Sequence, residues 1–334
     1  MADFKNTTIQ DTGFLQLPVG TTAQRPSNPE IGMARMNSDK GNALEFWDGE
    51  DWTVFGDSEV FEPIQATGGT VTSIVENGII YRVHTFTSGT SSFIVSSTGS
   101  EGKVDVFAVG GGGGGSNRSN GGGGGGYARS WFAVLLEANT HSVVVGDGGT
   151  GTNNGSASSF DTKGDLSVLT ADGGFGTSNA NGGDGGSGGG GRRQGNCVRS
   201  GGEDGTNGVD GIVGDGGSGQ GFSTREFNQQ LIGSEWETID PNSTAPLYGS
   251  GGGGYGSSST SIGMGGVPGE GGGWGGGRIF CPGHPSSSTY VNTPGEPNTG
   301  GGGGSSRSSG GSNVSGGSGI VKVRYPLYPL ERIQ

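Results

Sequence analysis

Few residues of this chain have types and spacings that could carry out chemistry. The three histidines, His84, His141 and His284, lie far apart in the sequence, so their spacing predicts neither a metal site nor a catalytic base. We interpret each of them as a strand or loop residue. Matches to GxGxxG are frequent because glycine is abundant, and none is followed by the Gly-Lys-Ser/Thr of a phosphate-binding loop. No cofactor is expected.

Four acidic residues cluster in one segment: Glu226, Glu235, Glu237 and Asp240. Cleavage of a sugar chain needs two carboxyl groups about 5 to 10 Å apart, so this cluster is the candidate for such an activity. Solvated acids of a loop are the simpler interpretation, and the sequence lacks the repeat of a parallel β-helix that would carry a sugar-cleaving spike. We therefore predict a protein without enzymatic activity.

Composition limits the architecture that could position a site. Glycine supplies 81 of the 334 residues and proline 13, while hydrophobic residues make up 28%. These values exclude the core of an ordinary α/β enzyme or helical bundle. The net charge is −13 and the basic residues are scattered, so we expect no binding to nucleic acid and no membrane insertion. Without a signal sequence or an apolar span, synthesis in the cytoplasm is expected.

Residues 1–56 contain little glycine and predict a small module of their own. Two apolar segments, 44–47 and 52–55, flank a turn that contains Asp48-Gly49, which is typical of a β-hairpin. This hairpin would bring Trp47 close to Trp52. Isolated hairpins are marginally stable, so the module should pack on copies of itself or on a partner. The residues that we assign to this attachment are Leu17, Phe46, Trp47 and Trp52.

The same region resembles a short module that recurs in tail-fibre and other structural proteins of bacterial viruses. The resemblance covers about residues 17–55 and rests on Gly20 to Pro26, Pro29, Gly32, Arg35, Asn37, the stretch Glu45 to Gly49, and Trp52. It implies that residues 1–56 attach the protein to a virion or fibre. Because phage fibres assemble on threefold axes, we expect a homotrimer formed through residues 1–60.

A polar spacer is predicted at 57–77, and a larger domain at 78–326. Short strands are expected at 79–87, 103–109, 142–145 and 320–326, without any helical periodicity. The strand at 103–109 runs into six glycines, 110–115, and six more follow at 121–126. A tail of eight residues, 327–334, completes the chain.

The glycine runs could be flexible linkers, collagen-like rods or packed polyglycine helices. Collagen-like and ice-binding rods need glycine at every third position, which these continuous runs do not show. Polyglycine II helices have three residues per turn and bond laterally to neighbours, which requires backbones without Cβ atoms. We therefore predict a mostly β and irregular fold with almost no α-helix, in which packed polyglycine II helices are flanked by short β-strands.

The order of these features resembles the glycine-rich domain of phage tail and tail-fibre-tip adhesins. The likeness rests on Val109 before the first run, Tyr127 after the second, and Gly319 before the last strand, and it extends over about 79–326. It implies an adhesin on a tail fibre or another external appendage of the virion, whose partners are virion proteins and a bacterial surface glycan or outer-membrane protein. The alternative is a purely structural virion protein, such as a fibre adaptor or decoration protein.

Recognition residues are expected in the insertions that interrupt the glycine pattern, because aromatic and arginine side chains are enriched in binding surfaces. Long connections at 192–200, 222–248 and 278–299 alternate with short ones, so rods that run up and down would place the long ones at one end. The residues that we assign to receptor binding are Arg192, Arg193, Arg199, Phe222, Trp236, Tyr248, Arg278, Phe280, His284 and Tyr290.

The two cysteines, Cys197 and Cys281, fall in two different long insertions. They could meet at one end of the domain and form a disulfide in oxidising surroundings, or they could be two unrelated buried thiols. The sequence leaves both possibilities open.

Overall fold

A computed structural model describes residues 16–55, 61–116, 121–164, 168–177, 181–191, 225–232, 235–253, 278–279, 291–292, 294–305 and 314–328. The chain divides into two compact units, Met1–Val60 and Phe61–Gln334. Within the described ranges there are β-strands, irregular segments and two short 3-10 helices, Thr22–Gln24 and Ser38–Lys40, but no α-helix. The prediction of a mostly β protein with almost no α-helix is confirmed.

The first unit is a four-stranded sheet. Its strands, in spatial order, are β1 (Val19–Gly20), β2 (Ala34–Asn37), β3 (Ala43–Trp47) and β4 (Trp52–Val54), with β1 parallel to β2 and the other neighbours antiparallel. The carboxylate of Asp48 accepts the N–H groups of Glu50 and Asp51 at 2.9 and 2.8 Å and so closes the β3–β4 turn. The rings of Trp47 and Trp52 lie 6.0 Å apart, which confirms the predicted hairpin.

Polar side chains occupy the centre of this unit. In residues 16–55 the buried side chains are Arg35, Asn37 and Glu45, and no hydrophobic side chain of that range is buried. Glu45 accepts hydrogen bonds from Arg25 Nη2 at 2.6 Å and Asn37 Nδ2 at 2.9 Å, and Arg35 Nε lies 3.4 Å from its other oxygen. The hydrogen bond from Arg25, more than any other contact, lowers the pKa of Glu45. An ionic network therefore takes the place of an apolar core.

The second unit contains two five-stranded sheets. The first sheet has the order β10-β9-β18-β7-β6, and the second has the order β13-β12-β11-β8-β5. All strand pairs within them are antiparallel. Their bounds are β5 Gln65–Thr67, β6 Thr70–Glu76, β7 Ile79–Phe86, β8 Gly89–Ser97, β9 Lys103–Val109, β10 Ala128–Leu135, β11 Thr140–Val145, β12 Ser158–Asp161, β13 Val168–Ala171 and β18 Ile320–Pro326.

The segment predicted to be a spacer, 57–77, thus contributes two strands, β5 and β6. The strands β6 and β7 form a hairpin whose two loop residues, Asn77 and Gly78, have φ angles of 50° and 79°. Positive φ at both positions is the signature of the type I′ turn that fits the twist of a hairpin. The Asn-Gly pair between two β-rich segments is the signal that predicts this hairpin.

Hydrophobic side chains from both sheets fill the space between them. Phe93 and Phe160 of the second sheet are fully buried with Val106 and Val323 of the first sheet. His84 in β7 is also buried: its Nδ1 lies 2.8 Å from the carbonyl oxygen of Gly68, and its Nε2 lies 3.1 Å from the Tyr325 hydroxyl. His141 lies in β11, also within the sheets, whereas His284 lies outside the described residues.

The first glycine run, 110–115, forms an extended rod, here called the first rod. Its N–H groups point in three directions, and every third group reaches the same neighbouring segment. The donor–acceptor pairs are Gly110–Tyr127 and Gly113–Gly124, Gly111–Ser156 and Gly114–Asn153, and Gly112–Gly317 and Gly115–Val314, at 2.8–3.0 Å. A period of three with lateral bonds is that of the polyglycine II helix. The packed-rod prediction is therefore confirmed for this run.

The run 121–126, here called the second rod, follows the same rule. The pairs are Gly122–Gly190 and Gly125–Ser187, Gly123–Gly303 and Gly126–Gly300, and Gly124–Phe175 with Tyr127–Asp172, at 2.8–2.9 Å. Each step of three residues forward along the rod meets an acceptor three residues earlier in the neighbouring segment. Each of these neighbours therefore runs antiparallel to the rod that donates to it. The two rods lie side by side through the bonds between Gly113 and Gly124 and between Gly110 and Tyr127.

Carbonyl oxygens of the first rod accept bonds from three further segments. Gly111, Gly112 and Gly113 accept from Gly174, Gly149 and Gly303 at 2.8–2.9 Å. Together with the three segments that accept its N–H bonds, the first rod therefore has six neighbours. A Cβ atom added at any position from Gly110 to Gly115 would overlap a carbonyl group of one of these neighbours. Glycine is thus required by the close approach of backbones.

The rods have a sheet end and a far end. The first rod begins directly after β9 and the second rod leads directly into β10, so residues 110 and 127 mark the sheet end, and residues 115 and 122 mark the far end. The segments 187–190, 249–253 and 300–305 run from the sheet end to the far end. Residues 187, 249 and 300 lie beside residues 125 and 126 of the second rod, near its sheet end. Residues 190, 252 and 303 lie beside residues 122 and 123, near its far end.

Four short strands complete the described structure. The strands β14 (Gln229–Ile232) and β15 (Glu235–Thr238) pair as an antiparallel hairpin, as do β16 (Arg278–Ile279) and β17 (Val291–Asn292). The β14 strand packs beside β10, an edge strand of the first sheet.

Candidate functional site

The far end of the rods is a face of polar connections. Among the described residues, Ser305 Oγ donates to the carbonyl oxygen of Ser116 at 2.8 Å, and Thr177 Oγ1 donates to that of Asn181 at 2.8 Å. The chain reverses here between the first and second rods, and again between the segments 172–177 and 181–186. The Ser305 bond therefore ties together two segments that are distant in the sequence at the far end, and the Thr177 bond closes a single connection.

The long connection 192–200 starts at this far end, because the segment 187–191 before it runs away from the sheets. Arg192, Arg193 and Arg199 themselves lie outside the described residues, as do Phe222, Phe280, His284 and Tyr290, and also Cys197 and Cys281. The other two long connections rejoin the rods at residues 249 and 300, which are at the sheet end. The expectation that all three long connections gather at one end is therefore wrong in this respect.

The chain also reverses within 182–190, before the first of the long connections. The amide of Gly189 donates to the carbonyl oxygen of Gly183 at 2.8 Å, so 182–186 and 187–190 are two antiparallel segments. The chain reverses between them at a bend at residues 185–186, without a polar connection. A count of rods from polar connections alone misses this reversal. Because it precedes all three long connections, it does not separate them. The direction that separates 192–200 from the other two is set between residues 191 and 249, and residues 192–224 lie outside the described residues.

Three predicted recognition residues lie among the described residues. Trp236 belongs to β15 and Arg278 begins β16. Tyr248 is buried, with its ring 5.1 Å from that of Phe107. Burial raises the pKa of Tyr248 well above its ordinary value, and the nearby charge of Glu226 raises it further. We therefore correct the assignment of Tyr248: it is a core residue and not part of a recognition surface.

Residues 225–248 cover the outer face of the first sheet. Phe227 and Tyr248 join Phe107, Val109 and Ile320 in a second hydrophobic cluster on that face. Alternate residues of a strand point to opposite faces, so Val106 fills the space between the sheets while its neighbour Phe107 meets this insertion. The insertion is thus a docked layer with its own apolar contacts.

Charged groups of β18 hold the same insertion. Lys322 Nζ lies 2.6 Å from Glu226 Oε2 and 5.7 Å from the ring centre of Tyr248. The guanidinium of Arg324 lies 4.0 Å from the ring centre of Phe227, and Arg324 Nε donates to Asp105 at 3.0 Å. Arg324 also pairs with Glu76 of β6. This buried cation therefore connects three elements of the unit: the insertion, β9 and β6.

An open cleft of about 550 Å³ lies between the β6–β7 hairpin and the insertion. Two members of the acidic cluster, Glu226 and Asp240, line it. Glu226 is engaged by Lys322 and accepts the Tyr248 hydroxyl at 3.1 Å, and the backbone of Asp240 pairs with the side chain of Asn228 at 2.8 and 2.9 Å. These contacts give both residues a role in fixing the insertion.

The attachment residues predicted in the first unit, Leu17, Phe46, Trp47 and Trp52, are all half-buried. Trp52 lines an open groove of about 460 Å³ together with Pro18, Val19, Met33 and Arg35. Arg25 lies 5.8 Å from the ring centre of Trp52. Three hydrophobic side chains of this unit are largely exposed, at 61% for Val19, 79% for Ile31 and 70% for Phe55. The unit therefore presents apolar surface to its surroundings.

Two further features are absent from the described residues. These residues contain no group of three or more His, Cys, Asp or Glu side chains placed to bind a metal ion. In the same ranges no helix has the length and hydrophobicity that crossing a membrane requires.

Comparison with known proteins identifies the class to which this architecture belongs. The family model for the glycine-rich domain matches residues 85–326, from the end of β7 to the end of β18. The chain belongs to this glycine-rich domain family. A search of curated proteins finds no sequence that matches the chain.

Sequence reasoning missed the residues that dock the insertion, Lys322, Arg324 and Phe227. A usable signal exists in β18, where Lys322 and Arg324 alternate with the apolar residues Val321 and Val323. That pattern predicts a strand with one face in the core and a charged face that needs acidic partners. Which residues pair with Lys322 and Arg324 depends on how residues 225–248, nearly a hundred positions earlier in the sequence, fold against the sheet.

Proposed function

We propose that this protein is a phage tail-fibre or tail-tip adhesin that presents recognition loops on a block of polyglycine rods. The observation that carries the proposal is the first rod, which bonds to six neighbouring segments through its backbone. Such packing supplies a rigid support whose stability does not depend on the sequence of the connections. Loops that change freely on a rigid scaffold are the usual arrangement of a recognition domain.

Recognition is assigned to the far end of the rods, where the connections emerge. The connection 192–200 starts there and carries Arg192, Arg193 and Arg199, which suit a glycan or an outer-membrane protein as ligand. The corrected direction of 249–253 and 300–305 removes the reason for grouping Trp236 and Arg278 with these arginines. Phe222, Phe280, His284 and Tyr290 remain candidates by residue type.

The first unit is assigned to attachment on the virion or fibre. Its exposed Val19, Ile31 and Phe55, and its lack of a buried hydrophobic side chain in 16–55, support the expectation that it packs on other chains. A homotrimer through residues 1–60 fits a fibre with a threefold axis. No catalytic step, cofactor, nucleic acid or membrane insertion is part of the proposed role, and the protein would be made in the host cytoplasm.

Attachment of particles to the host cell tests this proposal. Particles are prepared with residues 192–200 replaced by a Gly-Ser segment of equal length, and a matched set has Pro241–Thr244, an exposed stretch near the sheets, replaced in the same way. We expect the first exchange to abolish attachment while assembly and the second set remain normal. Loss of attachment in the second set alone would indicate that the receptor binds at the cleft between the β6–β7 hairpin and residues 225–248. Normal attachment in both sets would favour the structural virion protein instead.

A further inference from the structure

Among the described strands, β6 is a sheet edge that no further strand covers. It ends the first sheet, and all seven of its residues, Thr70–Glu76, are exposed. Natural edge strands are commonly blunted by lysine, proline or a β-bulge. The β6 sequence contains no lysine or proline, and its register with β7 runs without a break from Thr70 to Glu76. Five of its residues are β-branched, which favours pairing with another strand.

The hairpin geometry identifies the backbone groups that face outward. Glu76 and Ile79 flank the two-residue turn and form the hydrogen-bonded pair that closes it. Because hydrogen-bonded and non-bonded pairs alternate along an antiparallel ladder, Thr70, Thr72 and Ile74 also bond to β7. The N–H and C=O groups of Val71, Ser73 and Val75 therefore point to the open edge.

We propose that β6 pairs antiparallel with β6 of a second copy of this chain, on a twofold axis at Ser73. This register places Ser73 opposite Ser73 of the second copy and Val71 opposite Val75 of the second copy. All three outward-facing residues then lie in hydrogen-bonded pairs, which join two five-stranded sheets into one of ten strands. A twofold axis centred on Val71 or Val75 would leave fewer of these groups paired.

The side chains agree with this register. Val71 and Val75 lie on one face of β6 and are 50% and 70% exposed, and pairing places them against each other across the axis. β-Branched cross-strand neighbours of this kind stabilise antiparallel sheets. The single charged residue, Glu76, lies opposite Thr70 of the second copy, so no like charges meet, and Arg324 already pairs with Glu76 within its own chain. The strand is thus complementary to itself.

This association is independent of the attachment role proposed for the first unit. It concerns an edge in the part of the chain from Phe61 onward, and it would hold for an adhesin or for a structural virion protein. A failure of the attachment experiment would not affect the proposed β6 pairing. A failure of the pairing experiment would likewise not affect the attachment proposal.

Disulfide trapping in the full chain tests the register. The background carries Cys197→Ser and Cys281→Ser, and Ser73→Cys is then introduced. Hydrogen-bonded antiparallel partners have Cα atoms about 5.5 Å apart, within the range of a disulfide. We expect Ser73→Cys to give a covalent dimer under mild oxidation. Val71→Cys is the matched control, since its two copies would lie four residues apart along the strand, about 14 Å.

The double variant Val71→Cys/Val75→Cys restores cross-linking if the register is right, because those positions face each other. Equal cross-linking of Ser73→Cys and Val71→Cys would mean random collision, and absence of cross-linking in Ser73→Cys would mean that β6 does not pair with itself. Either result overturns the proposal. As a measurement without cysteine chemistry, Val75→Lys should lower the mass found by light scattering while the circular dichroism spectrum stays that of the folded parent, because Val75 is exposed.

Discussion

The amide nitrogen of Gly113 lies 2.8 Å from the carbonyl oxygen of Gly124, and the carbonyl oxygen of Gly113 accepts the amide of Gly303 at 2.9 Å. One residue without a side chain thus bonds to two segments that are distant in the sequence. Repeated along the rod, this relationship satisfies the backbone groups that a buried glycine run would otherwise leave without partners. Backbone packing does here what apolar side chains do in other proteins.

A single methyl group should therefore disrupt the rods. In Gly112→Ala or Gly123→Ala the new Cβ would overlap a carbonyl group, of Gly301 or Gly113 respectively. We expect a loss of about 3 kcal/mol or more in the free energy of unfolding, since overpacking and broken hydrogen bonds act together. Valine at either position should prevent folding. Urea denaturation of the full chain measures the effect.

The matched control is Gly164→Ala. A Cβ at Gly164 meets only the carbonyl oxygen of Thr162, at 4.0 Å, and the residue is exposed. Its stability should stay within about 0.5 kcal/mol of the parent. If all three alanine variants unfold like the parent protein, the glycine runs are linkers and not packed rods.

The ionic centre of the first unit predicts sensitivity to acid. The pKa of Glu45 is lowered mainly by its hydrogen bond from Arg25, so its stabilising effect is present above the unfolded pKa of about 4.5 and is lost as the pH falls through the folded value. The protection of residues 34–54 from hydrogen exchange, taken as the ratio of the intrinsic to the observed exchange rate, should therefore fall below pH 4.5. An unchanged protection ratio down to pH 3 would contradict this.

Glu45→Gln should mimic the acid effect at neutral pH. It removes the carboxylate that Arg25 and Arg35 contact, and removal of one partner from a buried pair typically costs about 3 to 5 kcal/mol. Glu50→Gln is the control, because Glu50 is exposed in the β3–β4 turn. The readout is again hydrogen exchange in 34–54, which should be fast in the first variant and normal in the second.

The docked insertion predicts local release. Phe227→Ala removes the ring that packs on Phe107 and Arg324, so residues 225–248 should detach and become open to proteolysis while the sheets stay folded. Ile239→Ala changes an exposed side chain of the same segment and should have no such effect. Cleavage mapped by mass spectrometry distinguishes the two. Resistance of Phe227→Ala to proteolysis would show that the ring does not hold the insertion.

His84 predicts a second pH dependence, in the larger unit. Burial lowers the pKa of His84, so the unfolded chain binds a proton at this histidine at a higher pH than the folded chain does. The free energy of unfolding should be level above about pH 7 and fall as the pH drops below the unfolded value of about 6.5. His84→Asn should show a smaller slope in this range. Equal slopes in both proteins would exclude His84 as the cause.

Local patterns in the sequence predicted part of this structure. Asp48-Gly49 between apolar segments gave the first hairpin, and continuous glycine gave lateral bonding with a period of three. Asn77-Gly78 carried an equally clear signal for the β6–β7 hairpin. Such features are local, because turn geometry and the absence of a Cβ act within a few residues.

Other features depend on contacts between distant segments. The aromatic residues of 225–248 have the composition of a binding loop, and only the position of Phe107 makes Phe227 and Tyr248 part of the core. The reversal within 182–190 leaves no mark in a stretch of glycine. The six neighbours of the first rod likewise come from segments as far away as 314–317.

Amide exchange of the glycines themselves tests the central claim most directly. In the full chain at neutral pH, the amides of 110–115 and 122–126 should be protected from hydrogen exchange as strongly as those of the adjoining strands β9 and β18, because each donates to a fixed carbonyl oxygen. Protection should be lost in Gly112→Ala, while Gly164→Ala keeps it. Exchange of both glycine runs at the rate of an unstructured peptide, with β9 and β18 still protected, would contradict the account.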